Sequence, residues 1–180
     1  MKEKKMNTVP PKAEYETCLS GNRMVSKTHG RIAFRGRIDL LEAEVIEAQV
    51  LAAQQGAADI CANLGEILDV LRAVMSAEVR ETSLPPPFLF GMDAEELHRQ
   101  SHNTQKIFGA VPLPAYTQGP LAARVNTLRA KVREVELLAV KVFGPNGGAA
   151  ETTAREDIIL ALNRLSSALW WLFCKYVTEQ

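Results

Sequence analysis

Apolar residues recur at three- and four-residue steps along four long segments of the chain, which predicts four amphipathic helices. Ile38, Leu41 and Val45 are typical of the first apolar stripe. Gly56, three consecutive prolines and a glycine-rich run interrupt the pattern between segments, because these residues end helices. The four helices are predicted at about residues 30–55, 57–79, 121–143 and 153–177.

A fifth, shorter helix is predicted to begin at Asp93, a suitable N-cap with Glu96 at capping-box spacing. Alternating patterns that would indicate strands are almost absent. Long helices with short connections predict an all-α fold, an antiparallel bundle of about five helices, over residues 27–180. Residues 1–26 contain prolines and lysines without periodicity, so they are predicted to be an irregular, flexible arm or a loop that orders on binding.

Composition narrows the classes of function. The 180-residue chain suits one domain, and its 21 lysines and arginines balance 21 acidic residues, so a nucleic-acid partner is not expected. No apolar run follows the charged N-terminus, and none reaches about 18 uninterrupted residues, so neither a signal peptide nor a membrane span is expected. Scattered cysteines are typical of free thiols in a reducing compartment, which favours a cytoplasmic protein.

Several polar residues lie at the edges of the apolar stripes rather than opposite them. Asn163 lies beside the stripe of the last helix, Arg129, Arg133 and Glu136 share one face of the fourth, and Asp39 follows Ile38 in the first. Taken singly, each is explained as a solvated residue or a surface ion pair. Together they would suit a partly buried polar seam that binds an anion, because the arginine fork matches phosphate.

Four segments that contain these residues resemble a known family. They are "RMVSKTHGRIAFRGRID", "MDAEELHRQSH", "LRAKVREVELLAVKVF" and "ILALNRLSS", in that order across residues 23–167. The sequence resembles the helical-bundle ATP:cob(I)alamin adenosyltransferases, most closely their ethanolamine-utilisation branch. The resemblance implies transfer of the 5′-deoxyadenosyl group from ATP to cob(I)alamin, with ATP, Mg²⁺ and cobalamin bound, and an N-terminal arm that orders over ATP.

The resemblance also implies roles for individual residues. Lys27 matches a lysine that contacts nucleotide phosphates, while Glu136 and Asn163 match residues that contact the nucleotide. Arg133 matches a nucleotide-binding arginine, and we expect it to act in catalysis by stabilising the departing triphosphate. Arg129 matches a residue of the ATP site that pairs with the first-helix aspartate, here Asp39, across a subunit interface. Arg164 belongs to the last motif without an implied role.

Two departures from the family limit these expectations. The propanediol-utilisation branch has a phosphate loop of the form T-K-T-G-D-x-G, whereas this chain has "YETCLSGNRMVSK", so the residues around the triphosphate stay unassigned. Longer members carry an upstream cysteine- and histidine-rich metal motif, of which only Cys18 remains here. His98 and His102 lack a third ligand nearby, so no metal site is predicted.

The resemblance extends to partners. It implies a homo-oligomer, with a trimer favoured and sites between subunits, a cobalamin reductase, ethanolamine ammonia-lyase as recipient, and residence in a bacterial microcompartment. An apolar or aromatic residue is expected to fill the space of cobalamin's lower axial ligand; Phe88, Phe90 and Phe108 are candidates, with packing against the bundle as the alternative. The rival hypothesis is a non-enzymatic helical-bundle interaction module whose arginine-lined seam binds an anionic partner.

Overall fold

The computed structural model describes residues 13–145 and 154–179. Over these residues the chain is mostly helical, which confirms the all-α prediction. Residues 13–145 and 154–179 form six α-helices where about five were predicted, together with one short 3-10 turn and a small hairpin. The elements are β1 (Glu16–Ser20), β2 (Arg23–Ser26), α1 (Gly30–Gln54), α2 (Ala58–Arg80), α3 (Ala94–Ser101), α4 (Thr104–Phe108), the 3-10 turn Tyr116–Gln118, α5 (Gly119–Phe143) and α6 (Glu156–Thr178).

The four long helices form an antiparallel bundle whose apolar stripes meet in one core. α5 packs on both α1 and α6, while α2 packs on α1 and α6. The start of α1 comes very close to the end of α5, where a Cβ on Gly30 would lie 3.1 Å from Val142. Beside this contact, the rings of Phe34 and Phe143 meet edge to face at 5.0 Å. The beginnings of α1 and α6 and the ends of α2 and α5 therefore lie together at one end of the bundle.

A two-stranded hairpin occupies part of the segment predicted to be irregular. β1 and β2 pair antiparallel, with Glu16 opposite Ser26, and Gly21 forms the turn at φ +52°. The prediction of irregular backbone is therefore wrong for residues 16–26, whereas residues 1–12 lie outside the described part. The strands were missed because they are short and bury only Leu19, so no alternation of apolar residues marks them.

The short helix after the prolines is divided in two. Asp93 caps α3 as predicted, and its side chain accepts from the backbone N–H groups of Glu95 and Glu96. α3 then ends at Ser101, where Asn103 Nδ2 donates to the Arg99 carbonyl at 2.7 Å and competes with the helical ladder. The chain resumes as α4, a separate helix of five residues.

The last helix is the most apolar element of the bundle. Among the described helices, α6 is the one long and apolar enough to cross a membrane by length and composition, although no single uninterrupted run had suggested this. Nine of its side chains are buried against the neighbouring helices, as in the core helix of any bundle. Thr153, where this helix was predicted to begin, lies outside the described residues; the helix begins at Glu156 after Arg155.

Candidate active site

The amide of Asn163 joins α6 to α5. Its Nδ2 donates to Glu136 Oε1 at 2.8 Å, and its Oδ1 accepts from Arg164 Nη1 at 2.5 Å. All three side chains are partly buried. The structure thus brings together two residues that the sequence assigned to nucleotide contact, and adds Arg164 to them.

An open groove of about 470 Å³ runs along these side chains. Its walls combine apolar Ile159 and Leu160 with carboxylates at the start of α6, Glu156 and Asp157. Apolar surface beside a few converging polar groups is typical of a small-molecule site. The groove can therefore hold an uncharged ring system against apolar carbon while Asn163 and Glu136 form hydrogen bonds with it.

A larger cavity of about 710 Å³ shares Glu156 and Asp157 with the groove. It lies at the end of the bundle where α1 and α6 begin, and Arg23, Arg31 and Arg155 line it. Neither helical periodicity nor the family resemblance predicted Arg23, Arg155 or the two acidic residues as part of the site. The only local signal was an arginine and an acidic pair at the start of a helix, which is common as a capping pattern.

Asp157 ties the start of α6 to the segment after α2. Its Oδ2 accepts from the backbone N–H of Leu84 at 2.8 Å, and its Oδ1 accepts from Arg155 Nε at 2.9 Å. Arg155 also donates to the Thr82 carbonyl at 2.8 Å. Burial opposes the charge of Asp157, but the hydrogen bonds from Arg155, Leu84 and Ile158 outweigh it and lower the pKa of Asp157.

The arginines at the start of α1 are engaged by α2. Arg31 Nε and Arg35 Nε both donate to the fully buried carboxylate of Glu78, and Arg31 Nη1 donates to Glu81 at 2.6 Å. Burial opposes the charge of Arg31, yet the hydrogen bonds to Glu81 and Glu78 raise the pKa of Arg31. These two arginines therefore serve an internal ion-pair network between α1 and α2.

Arg129, Arg133 and Asp39 lie further along the bundle. Arg129 Nε donates to Asn126 at 3.1 Å, and its guanidinium lies 5.7 Å from the ring centre of Trp170. Arg133 is exposed one turn before Glu136 on the same face of α5, and Asp39 is exposed on α1. Within the described part of a single chain, no ion pair joins Asp39 to Arg129.

Lys27 lies apart from the groove, in the turn between β2 and α1. Its backbone N–H donates to the Tyr15 carbonyl at 2.8 Å, which closes the hairpin, and its side chain is exposed. It does not line the groove around Asn163. The structure therefore does not bring Lys27 together with Asn163 and Glu136.

The three candidate phenylalanines separate into two groups. Phe90 and Phe108 pack against Trp171, with ring centres 5.5 and 5.3 Å from it, as the packing alternative predicts. Phe88 is 67% exposed, beside a groove of about 400 Å³ between the proline segment and α2, where Val70 lies. Phe88 is thus the one of the three whose ring is free to meet a ligand.

The rings of His98 on α3 and His102, the C-cap of α3, are tilted relative to each other with their centres 4.3 Å apart. Burial is the main cause that lowers the pKa of His98, with a further contribution from the nearby positive charge of Arg164. Across residues 13–145 and 154–179, no group of three or more His, Cys, Asp or Glu side chains is arranged to hold a metal ion. Cys174 is buried, which raises the pKa of its thiol to about 11.

Comparison with known proteins relates this geometry to a family. The sequence profile of the cobalamin adenosyltransferases matches residues 12–176. The corrinoid adenosyltransferase EutT of Escherichia coli (strain K12) is 35% identical over 176 residues, 96% of this chain and 62% of that protein. The protein of the same name from Salmonella typhimurium is 34% identical over 166 residues, 90% of this chain and 58% of that protein. The chain therefore spans about three fifths of the length of these relatives.

The fold is also that of a solved structure, a variant PduO-type ATP:corrinoid adenosyltransferase from Lactobacillus reuteri complexed with cobalamin and ATP. The two superpose with a TM-score of 0.66 at 20% identity, over 92% of this chain and 87% of that chain. The chain thus has a fold that is already known, and the family profile spans nearly the whole chain. The chain belongs to the cobalamin adenosyltransferase family.

Proposed function

We propose that the protein transfers the 5′-deoxyadenosyl group of ATP to cob(I)alamin, yielding adenosylcobalamin and triphosphate. The observation that carries this proposal is the contact between Glu136 and Asn163 in one groove of a chain with this family membership. Relatives that match most of the chain are named corrinoid adenosyltransferases. The family resemblance implies nucleotide contact for both residues.

The reaction needs orientation and charge stabilisation more than acid–base chemistry. The cobalt(I) electron pair attacks C5′, the cobalt–carbon bond forms, and the C5′–oxygen bond breaks with its electrons leaving on triphosphate. No proton is transferred in this step, so no general base is required. In-line placement of C5′ and cobalt can lower the barrier by about 7–11 kcal/mol in well-aligned systems.

Arg133 is the residue best suited to stabilise the leaving triphosphate. Its guanidinium is exposed one turn from Glu136 and forms no ion pair within the described residues. An uncommitted arginine can direct two parallel N–H groups at phosphate oxygens as negative charge develops. Lys27 would add charge from the turn before α1, and Mg²⁺ would enter with ATP as part of the substrate.

Exposed apolar residues support an assembly of several subunits. Leu137 and Val140 are 71% and 46% exposed on the face of α5 that carries Arg133, and Leu40 is 44% exposed beside Asp39 on α1. Such residues on neighbouring helices are typical of a subunit interface. We propose a trimer with sites between subunits, in which Asp39 of one subunit pairs with Arg129 of the next.

The resemblance to the ethanolamine-utilisation branch supports a specific physiological role. We propose that a cobalamin reductase delivers the electron that converts cob(II)alamin to cob(I)alamin, and that ethanolamine ammonia-lyase receives the product. We further propose a cytoplasmic location within a protein-shelled microcompartment. Co-purification of the product-loaded protein with the ammonia-lyase would test this step.

The activity is tested with the purified protein, ATP, Mg²⁺ and chemically reduced cobalamin. We expect a light-sensitive product with the absorbance spectrum of adenosylcobalamin, together with one triphosphate for each product molecule. Absence of this product under strong reductant would contradict the proposed activity and would favour the interaction-module hypothesis.

Replacing Arg133 with alanine tests the site itself. We expect turnover to fall by about 100- to 1,000-fold, as when one preorganised donor to a developing anion is removed. The helical circular-dichroism signal should not change, because Arg133 is exposed. Arg72→Ala is the matched control, since Arg72 is an exposed arginine on α2 with only long ion pairs of 3.8 and 3.9 Å. Equal loss in both variants would contradict the assigned role.

A further inference from the structure

Arg164 is directed at its neighbour in the chain rather than at solvent. Its Nη1 donates to Asn163 Oδ1 at 2.5 Å, and its Nε is buried without a hydrogen-bond partner among the described residues. Asn163 Nδ2 in turn donates to Glu136 Oε1 at 2.8 Å. The three side chains form a continuous series from guanidinium to amide to carboxylate, across the contact between α6 and α5.

The chemistry of the two partners determines the orientation of the amide between them. Arginine carries only donors, and an ionised glutamate carries only acceptors. The oxygen of Asn163 must therefore face Arg164, and its nitrogen must face Glu136. If the amide rotated by half a turn, an N–H group would face the guanidinium and a carbonyl oxygen would face the carboxylate. Both hydrogen bonds would be lost, and two like-polarity contacts would replace them.

We propose that Arg164 is a positioning residue that holds Asn163 as a hydrogen-bond donor toward ATP. Asn163 Oδ1 accepts from Arg164, and one N–H of Asn163 Nδ2 donates to Glu136 Oε1. The second N–H of Nδ2 can then donate to a ligand in the groove, and Glu136 Oε2 can accept from it. The ligand must then present an acceptor to Asn163 and a donor to Glu136. A nucleoside offers both, through its ring nitrogens and its amine or hydroxyl groups. This inference rests on the proposed function, because it takes ATP as the occupant of the groove.

A double-mutant cycle on ATP binding tests the inference. Calorimetry without cobalamin would measure the ATP dissociation constant of the wild type, Arg164→Met, Asn163→Ala and the double variant. We expect Arg164→Met to weaken ATP binding about ten-fold, as for loss of one charge-assisted hydrogen bond. If Arg164 acts through Asn163, the double variant should bind no more weakly than Asn163→Ala alone. In turnover assays the loss should raise KM for ATP more than it lowers kcat, because uniform binding is removed.

The controls separate positioning from other roles. Arg164→Lys keeps a donor for Oδ1 and should restore part of the lost affinity, whereas Arg72→Met should bind ATP as the wild type does. Additive losses in the cycle would mean that Arg164 contacts ATP itself or only supports the fold, and would overturn the inference. If Arg164→Met does not fold, the smaller loss of ATP affinity caused by Arg164→Lys is measured both in the wild type and in Asn163→Ala. The loss should be absent in the Asn163→Ala protein.

The outcomes also distinguish this inference from the proposed function. If the wild type binds ATP but forms no adenosylcobalamin, the proposed activity is contradicted. The double-mutant cycle on ATP binding can still be measured and interpreted. A wild type that is active but shows an additive cycle overturns the inference alone. A wild type that binds no ATP overturns both.

Discussion

At the scale of single residues, Phe88 differs from Phe90 and Phe108 because its ring does not pack against Trp171. Phe90 and Phe108 are held by Trp171, whereas Phe88 is 67% exposed beside the groove at the proline segment. If cobalamin binding buries this ring beneath cobalt, burial should contribute about 1.5–3 kcal/mol to the active complex. We therefore predict that Phe88→Ala lowers kcat/KM for cob(I)alamin about ten- to 100-fold, as measured by product absorbance, with an unchanged thermal midpoint.

Tyr116 provides the matched control for this prediction. It is 91% exposed, on the loop before α5, and lines none of the grooves described above. Tyr116→Ala should therefore leave both turnover and the thermal midpoint unchanged. A Phe88→Ala protein with normal kcat/KM would exclude Phe88 as the aromatic residue that meets cobalamin.

At the scale of elements, the start of α6 depends on one ionised carboxylate. Because the pKa of Asp157 is lowered in the folded state from its ordinary 3.8, its contacts stabilise the fold above that pH and are lost as pH falls below it. We predict that Asp157→Asn lowers the free energy of unfolding by about 1.5–3 kcal/mol at pH 7, as expected for hydrogen bonds to a charged group. The difference in free energy of unfolding between Asp157→Asn and the wild type should become smaller below about pH 4, as measured by urea titrations followed by circular dichroism.

The control for the α6 prediction is an aspartate with similar chemistry and little burial. Asp59, in the first turn of α2, is 69% exposed and lies 3.6 Å from Lys175. Asp59→Asn should change stability by less than about 1 kcal/mol at any pH, because exposed ion pairs contribute little. If the difference in free energy of unfolding between Asp157→Asn and the wild type stays constant from pH 7 to pH 3.5, lost packing rather than lost ionisation destabilises the variant.

At the scale of the whole molecule, the assembly is predicted to depend on the exposed face of α5. Leu137 is 71% exposed there, on the same face as Arg133. A lysine at this position would place a charge in the proposed interface without disturbing the core. We predict that Leu137→Lys shifts the protein toward monomers in sedimentation velocity and reduces turnover in parallel, since the proposed sites lie between subunits.

Leu113 provides the comparison for the assembly prediction. It is 84% exposed on the loop before α5. Leu113→Lys should sediment as the wild type does. A Leu137→Lys protein that keeps both its mass and its activity would contradict an interface on this face.

The sequence by itself determined the four long helices and the residues that belong to the family motifs. Helical periodicity is a local property, so stripes such as that of Ile38, Leu41 and Val45 mark their helices without knowledge of the fold. The same periodicity placed Asn163 and Glu136 at the edges of the core. The motif resemblance then implied that both residues contact the nucleotide.

Only the tertiary structure decided which polar groups meet and in what orientation. Asn163 and Glu136 are 27 residues apart, and Arg31 and Glu78 are 47 apart, so no local pattern could pair them. Nor could periodicity tell that Arg31 is engaged by a buried carboxylate while Arg133 is exposed. The sequence determined helices because their hydrogen bonds are local; the site depended on the structure because its hydrogen bonds join helices distant in the chain.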